Sequence, residues 1–505
     1  MPLGYETYKE AAKSFDWGER WQLFEGDRES FNIATECLAR HNDDAMAARL
    51  AFDDGSTASH TVGEIDRSAS RFANFLADRG VDEGDRVAVM LDPSRPFYVS
   101  LFGTLRRGAV AVPMTTLFGP DSIAYRLSDS DAKLLVTHPE KDGDIPGTSQ
   151  VETIFVSDAL YPHVEDYSAS FEPSTAAADT SVLQYTSGTT GKAKGTEMTH
   201  KSLTYTAVNL LFARGLRPED EYFCPSKPSW AQGLWLGILG PLALGNTAGN
   251  YAGKFDPDTL LAALEAFEIT NMSIAPTILR TIRSEGIAAD YDLSLERITS
   301  SGERLDEQTQ RYFIENLGIS VGNTYGVSEF GAVTMDFQGF ADWEIRPGSI
   351  GKPLPGLEVA IIDEEGDQLP PGETGEIAIL RDGEWFGTGD SGMVDGDGYF
   401  WHKGRKDDVI ITAGYRVDPH EVENTILGLD EVQEVAVIGR DDEERTNLVT
   451  AIVRVDADDE ERMREDIKEH VKADLGKHKY PRVVEFVDDF PRTESGKKIR
   501  YADLE

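Results

Sequence analysis

The chain has 505 residues, 40% of them hydrophobic, which is too long for one ordinary domain and enough to bury several cores. Lysine and arginine number 49 against 90 aspartates and glutamates, and this formal net charge of −41 is spread through the chain rather than gathered in a tail. Such a surface repels nucleic acid and anionic membrane, so neither is an expected partner, and two cysteines, Cys37 and Cys224, exclude a disulfide framework or a cysteine zinc site.

The first residues, Met1-Pro2-Leu3-Gly4-Tyr5-Glu6, lack the basic and apolar regions of a signal peptide. No apolar run approaches the ~20 residues that span a bilayer. The longest, 234–244, is interrupted by Gly237, Gly240 and Pro241, so a cytoplasmic protein without membrane insertion is expected. Helical spacing of apolar residues over 31–41 precedes a strand over 47–52. Ile65, Ala69, Phe72, Phe75 and Leu76 then mark a helix over 62–79. Strand 86–91, helix 95–108, strand 109–113, helix 122–130 and strand 133–137 follow. This alternation predicts a mostly parallel sheet with helices on its faces. Residues 139–180 are acidic and loop-rich, with one strand near 154–156.

Strand 181–185 runs into Tyr185-Thr186-Ser187-Gly188-Thr189-Thr190-Gly191-Lys192-Ala193-Lys194-Gly195-Thr196, with a helix expected from about Thr199 and His200. Glycines let backbone amides converge, hydroxyls add donors and lysines add charge, a combination suited to a phosphate chain. It is not the common P-loop: Ala193 follows Gly191-Lys192 where that motif carries a metal-binding hydroxyl. The metal ligand must come from elsewhere. Helices over 201–214, 257–268 and 277–286 alternate with strands over 222–228, 271–275 and 298–300. Beyond Tyr325, strands over 359–363, 375–380, 392–394 and 398–401 between Gly/Pro turns predict a small β-subdomain.

The polar stretch 404–408 separates this region from strand 409–411, helix 419–427, strands 432–438 and 448–455, helix 460–475 and strand 483–486. The predicted organisation is therefore a large N-terminal domain of α/β subdomains plus a small β-subdomain over residues 1–403. A hinge over 404–408 and a small mobile α+β domain over 409–505 complete it. The end of the chain, Pro491-Arg492-Thr493-Glu494-Ser495-Gly496-Lys497-Lys498-Ile499-Arg500, is conspicuously basic in so acidic a protein.

Taken in order, five stretches resemble the adenylate-forming superfamily of acyl-CoA synthetases, peptide-synthetase adenylation domains and beetle luciferases. They are the loop 185–196; Tyr325-Gly326-Val327-Ser328-Glu329; Thr388-Gly389-Asp390; Gly404-Arg405-Lys406-Asp407-Asp408 with Gly414-Tyr415-Arg416; and 491–500. Lys254-Phe255-Asp256-Pro257 and His478-Lys479-Tyr480-Pro481-Arg482 most resemble acetyl- and medium-chain acyl-CoA synthetases. Ala193 stands where the family carries proline, Ser328 where it carries threonine, and the segment 376–385 is shorter than usual. The dispersed acidic excess resembles proteins of salt-accumulating halophiles, which implies a haloarchaeal source.

The resemblance implies an ATP- and coenzyme A-dependent ligase acting on a small-molecule carboxylic acid through an acyl-adenylate. Thr186, Ser187, Gly188, Thr189, Thr190, Gly191 and Lys194 would hold the β- and γ-phosphates. Ser328 would bind the α-phosphate and Glu329 would carry Mg²⁺. Gly302, Glu303, Arg304 and Tyr325 would line the adenine pocket, Asp390 would take the ribose with Arg405 beside it, and Arg416 would approach the phosphates. Lys497 would bridge carboxylate and α-phosphate. A swing about Asp407 would then withdraw it and bring Gly414 to a CoA tunnel. Trp230, Gly233, Trp235 and Ala275 are candidates for the acyl pocket, with core packing the alternative for both tryptophans. Transfer to a carrier protein or an amine is the alternative to free CoA, disfavoured because no carrier domain follows; a homodimer is compatible with the sequence.

Overall fold

The computed structural model describes residues 3–145, 151–157, 162–186, 193–303, 305–327, 331–406, 410–413, 415–429, 431–442, 445–455 and 459–491. The chain divides into two compact units. One comprises Met1–Ala275, Ile287–Thr299 and Phe337–Asp342; the other comprises Pro276–Gly286, Ser300–Asp336 and Trp343–Glu505.

The first unit carries β1 (Met46–Phe52), β2 (Thr57–Thr61), β3 (Arg86–Met90), β4 (Val110–Met114), β5 (Ala132–Thr137), β6 (Glu152–Phe155), β7 (Thr180–Thr186), β8 (Lys194–Thr199), β9 (Tyr222–Cys224), β10 (Ala248–Ala252), β11 (Asn271–Ile274) and, up to Thr299, β12 (Arg297–Ser301). One sheet has the order β6–β5–β3–β4–β7–β8, parallel except for its last strand. In a second sheet β12, β11, β9, β10, β1 and β2 lie side by side. The helix Val62–Asp78 forms where the spacing places it. Thr61 and Glu64 close a capping box at its start, and Ile65, Ala69, Phe72, Phe75 and Leu76 are all buried. Helix Arg95–Arg107 is capped by Ser94 and ends on Gly108, whose φ of 77° is the left-handed conformation a helix end favours. These helices and the strands beneath them form one core with Leu234, Trp235 and Ile238.

One expectation changes here, and one segment left without an element gains one. The glycine-rich loop is not followed directly by a helix: the chain first returns as β8, antiparallel to β7 with Thr186 opposite Lys194, and the helix starts at Ser202. The apolar run 234–244 is a buried helix whose first part, Gln232–Leu239, is π-wound. Gly233 permits this packing, since a Cβ there would lie 2.2 Å from the Lys227 carbonyl oxygen.

The second unit carries β13 (Val321–Val327), β14 (Gly331–Met335), β15 (Lys352–Pro353), β16 (Val359–Ile362), β17 (Thr374–Arg381), β18 (Glu384–Val394), β19 (Phe400–Arg405), β20 (Ile410–Thr412), β21 (Tyr415–Val417), β22 (Val432–Asp442), β23 (Thr446–Val455) and β24 (Val483–Phe486). The antiparallel sheet β16–β17–β18–β19 is the expected β-subdomain. Its β17–β18 hairpin closes on Asp382 (φ 51°) and Gly383 (φ 85°), with Arg381 opposite Glu384. Asp-Gly with both φ positive is the tight two-residue turn that matches strand twist, and it accounts for the shortened segment 376–385. A further sheet, β21–β20–β23–β22 with β24 beside β23, packs on helices Pro419–Ile426 and Glu460–Leu475. A helix at Glu307–Leu317, N-capped by Asp306, was not expected from the sequence.

Asp336, immediately after β14, is fully buried. Its amide donates to the Asn323 carbonyl oxygen, and its carboxyl accepts the Asn323 amide at 2.8 Å and the Trp343 indole N–H at 3.3 Å. It ties the end of β14 to the strand that carries Tyr325.

Candidate active site

In the second unit, among the described residues, Tyr325, Thr388 and Arg405 of the motifs meet at Asp390. The register of β18 against β19 pairs Asp390 with Arg405, although they are far apart in the sequence. The Tyr325 hydroxyl donates to Asp390 Oδ2 at 2.6 Å, and Arg405 Nη1 lies 3.3 Å from Oδ1. His402 Nε2 stands 3.8 Å from the same oxygen, its ring 5.6 Å from that of Tyr325. Asp390 is only 5% exposed. Burial pushes its carboxyl up, but His402, Tyr325 and Arg405 outweigh burial and hold it below the ordinary aspartate value. The same contact acts in reverse on Tyr325, whose phenol is raised by burial and by the Asp390 charge. The result is a charged acceptor pair with a cation on its open side, since Arg405 is about half exposed.

Backbone geometry fixes this group. Thr388 Oγ1 donates to the Ile377 carbonyl oxygen at 2.9 Å and accepts the Asp390 amide at 3.3 Å. Gly389, with φ 76°, leaves room for Arg405: a Cβ there would lie 2.9 Å from Nη2. Glu376 receives the Gly389 amide at 2.8 Å and the Lys406 ammonium at 2.7 Å, so it links the Thr388-Gly389-Asp390 turn to the start of the stretch 404–408. Glu376 and His402 carried no signal that separated them from ordinary strand residues.

Gly302 and Glu303 also belong to the second unit. Gly302 takes φ 97°, and Glu303 accepts Thr277 Oγ1 at 2.7 Å and Arg280 Nη2 at 2.8 Å. Glu303 is thus paired from the helix Pro276–Glu285. Arg416 lies on β21 opposite Ile411. Arg304, Ser328, Glu329, Asp407, Gly414 and Lys497 lie outside the described residues.

In the first unit the phosphate-loop candidates Ser187, Gly188, Thr189, Thr190 and Gly191 also lie outside the described residues, but both of the loop's anchors are defined. It leaves the carboxyl end of parallel strand β7, the end at which open α/β sheets bind ligands, and re-enters at exposed Lys194. Tyr185 donates to Asp129 at 2.7 Å, and Tyr125 donates to the Ala193 carbonyl oxygen at 2.8 Å. Gln184 donates to the Ser229 carbonyl oxygen at 3.1 Å, joining β7 to the segment before Trp230. Lys227 pairs with Asp92 at 2.7 Å, bridging the loops that follow β9 and β3. Trp235 packs in the core, whereas Trp230 is half-buried. A cleft of about 700 Å³ lies beside Glu83, Asp179 and Glu197, near the starts of β3, β4 and β7. Among the described residues no three His, Cys, Asp or Glu side chains are grouped to hold a metal ion, and no helix is long and apolar enough to cross a membrane.

The sequence matches the family model described as AMP-binding enzyme over residues 37–383, and the AMP-binding enzyme C-terminal domain over residues 421–497. It is 30% identical to the acetyl-coenzyme A synthetase of Bacillus subtilis, covering 98% of this chain and 94% of that protein. It is also 30% identical to the mitochondrial acyl-coenzyme A synthetase ACSM3 of Homo sapiens, covering 99% and 92%. Among solved structures, an anthranilate CoA ligase in complex with anthranoyl-AMP superposes with a TM-score of 0.84 at 28% identity, over 94% of this chain and 97% of that one. An acyl-CoA synthetase from Brucella canis superposes with a TM-score of 0.78 at 29% identity, over 99% of both chains.

Proposed function

The chain belongs to the AMP-binding enzyme family, and we propose that the Asp390 cluster is the nucleotide end of its acyl-activating site. The protein is an ATP- and CoA-dependent acyl-CoA synthetase, an AMP-forming acid–thiol ligase. A carboxylate oxygen attacks the α-phosphorus and pyrophosphate leaves. The CoA sulfur then attacks the acyl carbonyl and AMP leaves with the bonding electrons.

The observation that carries the site assignment is the meeting of Tyr325, Asp390 and Arg405 at hydrogen-bond distance. A carboxylate has about four acceptor positions, so Tyr325 and Arg405 leave capacity for two ribose hydroxyls. Arg405 adds positive charge beside the nucleotide, and the ring of Tyr325, with Gly302, Glu303 and Arg304, borders the adenine. Thr186, Ser187, Gly188, Thr189, Thr190, Gly191 and Lys194 hold the β- and γ-phosphates, Ser328 and Arg416 approach the phosphate chain, and Lys497 bridges the two reacting anions as a flexible point charge. Residues 1–403 and 409–505 act as domains about the hinge 404–408, which lets one active site present Lys497 and then Gly414. Glu329 is the proposed protein ligand of magnesium; this ion keeps several waters and binds largely through phosphate oxygens, so one carboxylate suffices. When bound, magnesium neutralises phosphate charge.

The acids proposed as substrates are acetyl to medium-chain, placing the enzyme in fatty acid metabolism. Support comes from the acetyl- and acyl-coenzyme A synthetases among its relatives and from the stretches 254–257 and 478–482. A net charge of −41 supports a halophilic, haloarchaeal protein working in a salt-rich cytoplasm, with a homodimer as its proposed assembly. The test is pyrophosphate release with a panel of carboxylic acids in molar KCl, with and without CoA. AMP formation that depends on both acid and CoA is expected. Its absence with every acid would overturn the assignment, and acid-dependent pyrophosphate release without thioester would redirect it to a carrier or amine acceptor. Full activity and stability in dilute buffer would overturn the halophile assignment.

A further inference from the structure

One helix of the first unit grips the chain on both sides of the stretch 187–192. The helix Pro120–Asp129 is fixed to the sheet by Ile123 and Leu127, both buried among Met90, Val112 and Leu135. Tyr125 and Asp129 lie four residues apart on it and so share a face. The Asp129 carboxylate accepts the Tyr185 hydroxyl at 2.7 Å, on the strand that enters the stretch. The Tyr125 hydroxyl donates to the Ala193 carbonyl oxygen at 2.8 Å, on the chain that leaves it. Asp129 Oδ1 stands farther from the same hydroxyl, at 3.5 Å, and the two tyrosine rings meet edge to face 6.3 Å apart.

The two contacts act differently. Asp129 holds a side chain of β7, a strand already paired with β4 and β8. Tyr125 holds the backbone, at the residue between 187–192 and the first pair of the β7–β8 ladder, Thr186 opposite Lys194. The Ala193 carbonyl oxygen and the Lys194 amide belong to one planar peptide unit, so fixing the oxygen fixes the direction in which the chain joins the ladder at Lys194. Alanine leaves φ free at this position. Proline, which stands here in the family that the motif resembles, locks φ at about −65° and restricts the preceding residue as well. The hydrogen bond from Tyr125 therefore restrains a point that the sequence leaves loose.

We propose that Tyr125 is a positioning residue for phosphate binding, its hydroxyl giving the backbone at Ala193 the constraint that alanine does not supply. This role rests on the reading of Thr186 to Gly191 and Lys194 as the residues that hold the β- and γ-phosphates. The hydroxyl then matters for the step that expels pyrophosphate. It does not matter for the attack of the CoA sulfur on the acyl carbonyl, because the β- and γ-phosphates have left by that point.

The deciding experiment measures the two half-reactions of the full chain separately: pyrophosphate release from ATP and acid, and thioester formation from supplied acyl-adenylate and CoA. Loss of one neutral hydrogen bond predicts that Tyr125→Phe lowers kcat/KM for ATP in the first by roughly 2- to 12-fold and leaves the second unchanged. Adding Ala193→Pro to Tyr125→Phe should restore most of the loss, since proline returns the constraint covalently; a contact that merely stabilised the fold would not be repaired at this one position. Tyr125→Phe that matches an active wild type, or that slows both half-reactions alike, overturns the proposal and leaves the acyl-activating reading intact. A double variant still as impaired as Tyr125→Phe overturns it too. Should Ala193→Pro fail to fold, the split between the half-reactions in Tyr125→Phe still decides. A wild type that releases no pyrophosphate with any acid would overturn the acyl-activating reading itself, and this role with it.

Discussion

Replacing Asp336 by asparagine tests whether a buried carboxyl beneath β13 is kept neutral by its surroundings. Complete burial raises this group from 3.8 to about 7, while the Asn323 amide and the Trp343 indole only partly favour its charged form. In the unfolded chain it ionises near its ordinary value. The folded protein therefore has its full share of stability from this group below about pH 4 and loses it progressively as pH rises toward about 7, after which the loss is complete. Each pH unit inside that window is worth about 1.4 kcal/mol, so the span from pH 5 to 7 amounts to about 3 kcal/mol. Unfolding entropy of about 2 cal/mol/K per residue converts this into roughly 3 °C if the whole chain melts together, and more if the second unit melts alone. Asp336→Asn carries an amide at every pH and lacks this component. The amide turns an N–H toward one of the two donors, a pH-independent cost of about 1–3 kcal/mol. The offset between the proteins is therefore uninformative, and its pH dependence is the readout. Thermal unfolding by circular dichroism in buffered molar KCl should show the Tm of Asp336→Asn gaining about 3 °C on wild type between pH 5 and pH 8. A difference that stays constant across that range would refute the reasoning.

Asp390→Ala removes the acceptor shared by Tyr325 and Arg405, and hydrogen bonds to a charged group are worth about 1.5–3 kcal/mol, so kcat/KM for ATP should fall roughly 10- to 150-fold with the fold intact by circular dichroism. Gly389→Ala places a methyl 2.9 Å from Arg405 Nη2 on a backbone with φ 76°. The left-handed conformation alone costs about 1–2 kcal/mol, and isothermal titration should show weakened ATP binding with a lowered Tm. Lys497→Ala should slow pyrophosphate release by on the order of 10²-fold or more while still converting supplied acyl-adenylate and CoA to thioester. Equal loss of both half-reactions would count against a hinge that withdraws Lys497.

Elements built on apolar periodicity were legible because burial and period coincide. The helix Val62–Asp78 and the strands Arg86–Met90 and Val110–Met114 lie within a residue or two of where spacing put them. Strand Lys194–Thr199 was not legible: its sequence, KGTEMT, is polar, and it is a strand because β7 supplies an antiparallel partner at the sheet edge. Strand Ala248–Ala252, AGNYA, has no β-branched residue, and β1 and β9 on either side hold it extended in the interior. The helix Glu307–Leu317 did carry a sign, Asp306 capping the Thr309 amide, but without a long apolar stripe.

The site divides in the same way. Glycine, hydroxyl and acid motifs mark the residues proposed to meet a nucleotide because each such contact needs a particular side chain or a positive φ at a particular place. What sets their charge is invisible along the chain, since it comes from strand register. Asp390 stays ionised while almost wholly buried because β19 brings Arg405 and His402 alongside it and β13 brings the Tyr325 hydroxyl. A consequence concerns Tyr325, which sequence alone assigns to the adenine pocket. Its hydroxyl is committed to Asp390, so only its ring face is left for the base, and the aromatic residue links the ribose acceptor to the adenine side of the proposed site. Phenylalanine there would keep the ring and lose the link, which makes the hydroxyl, rather than the aromaticity, the part of this motif that the surrounding sheet is built to hold.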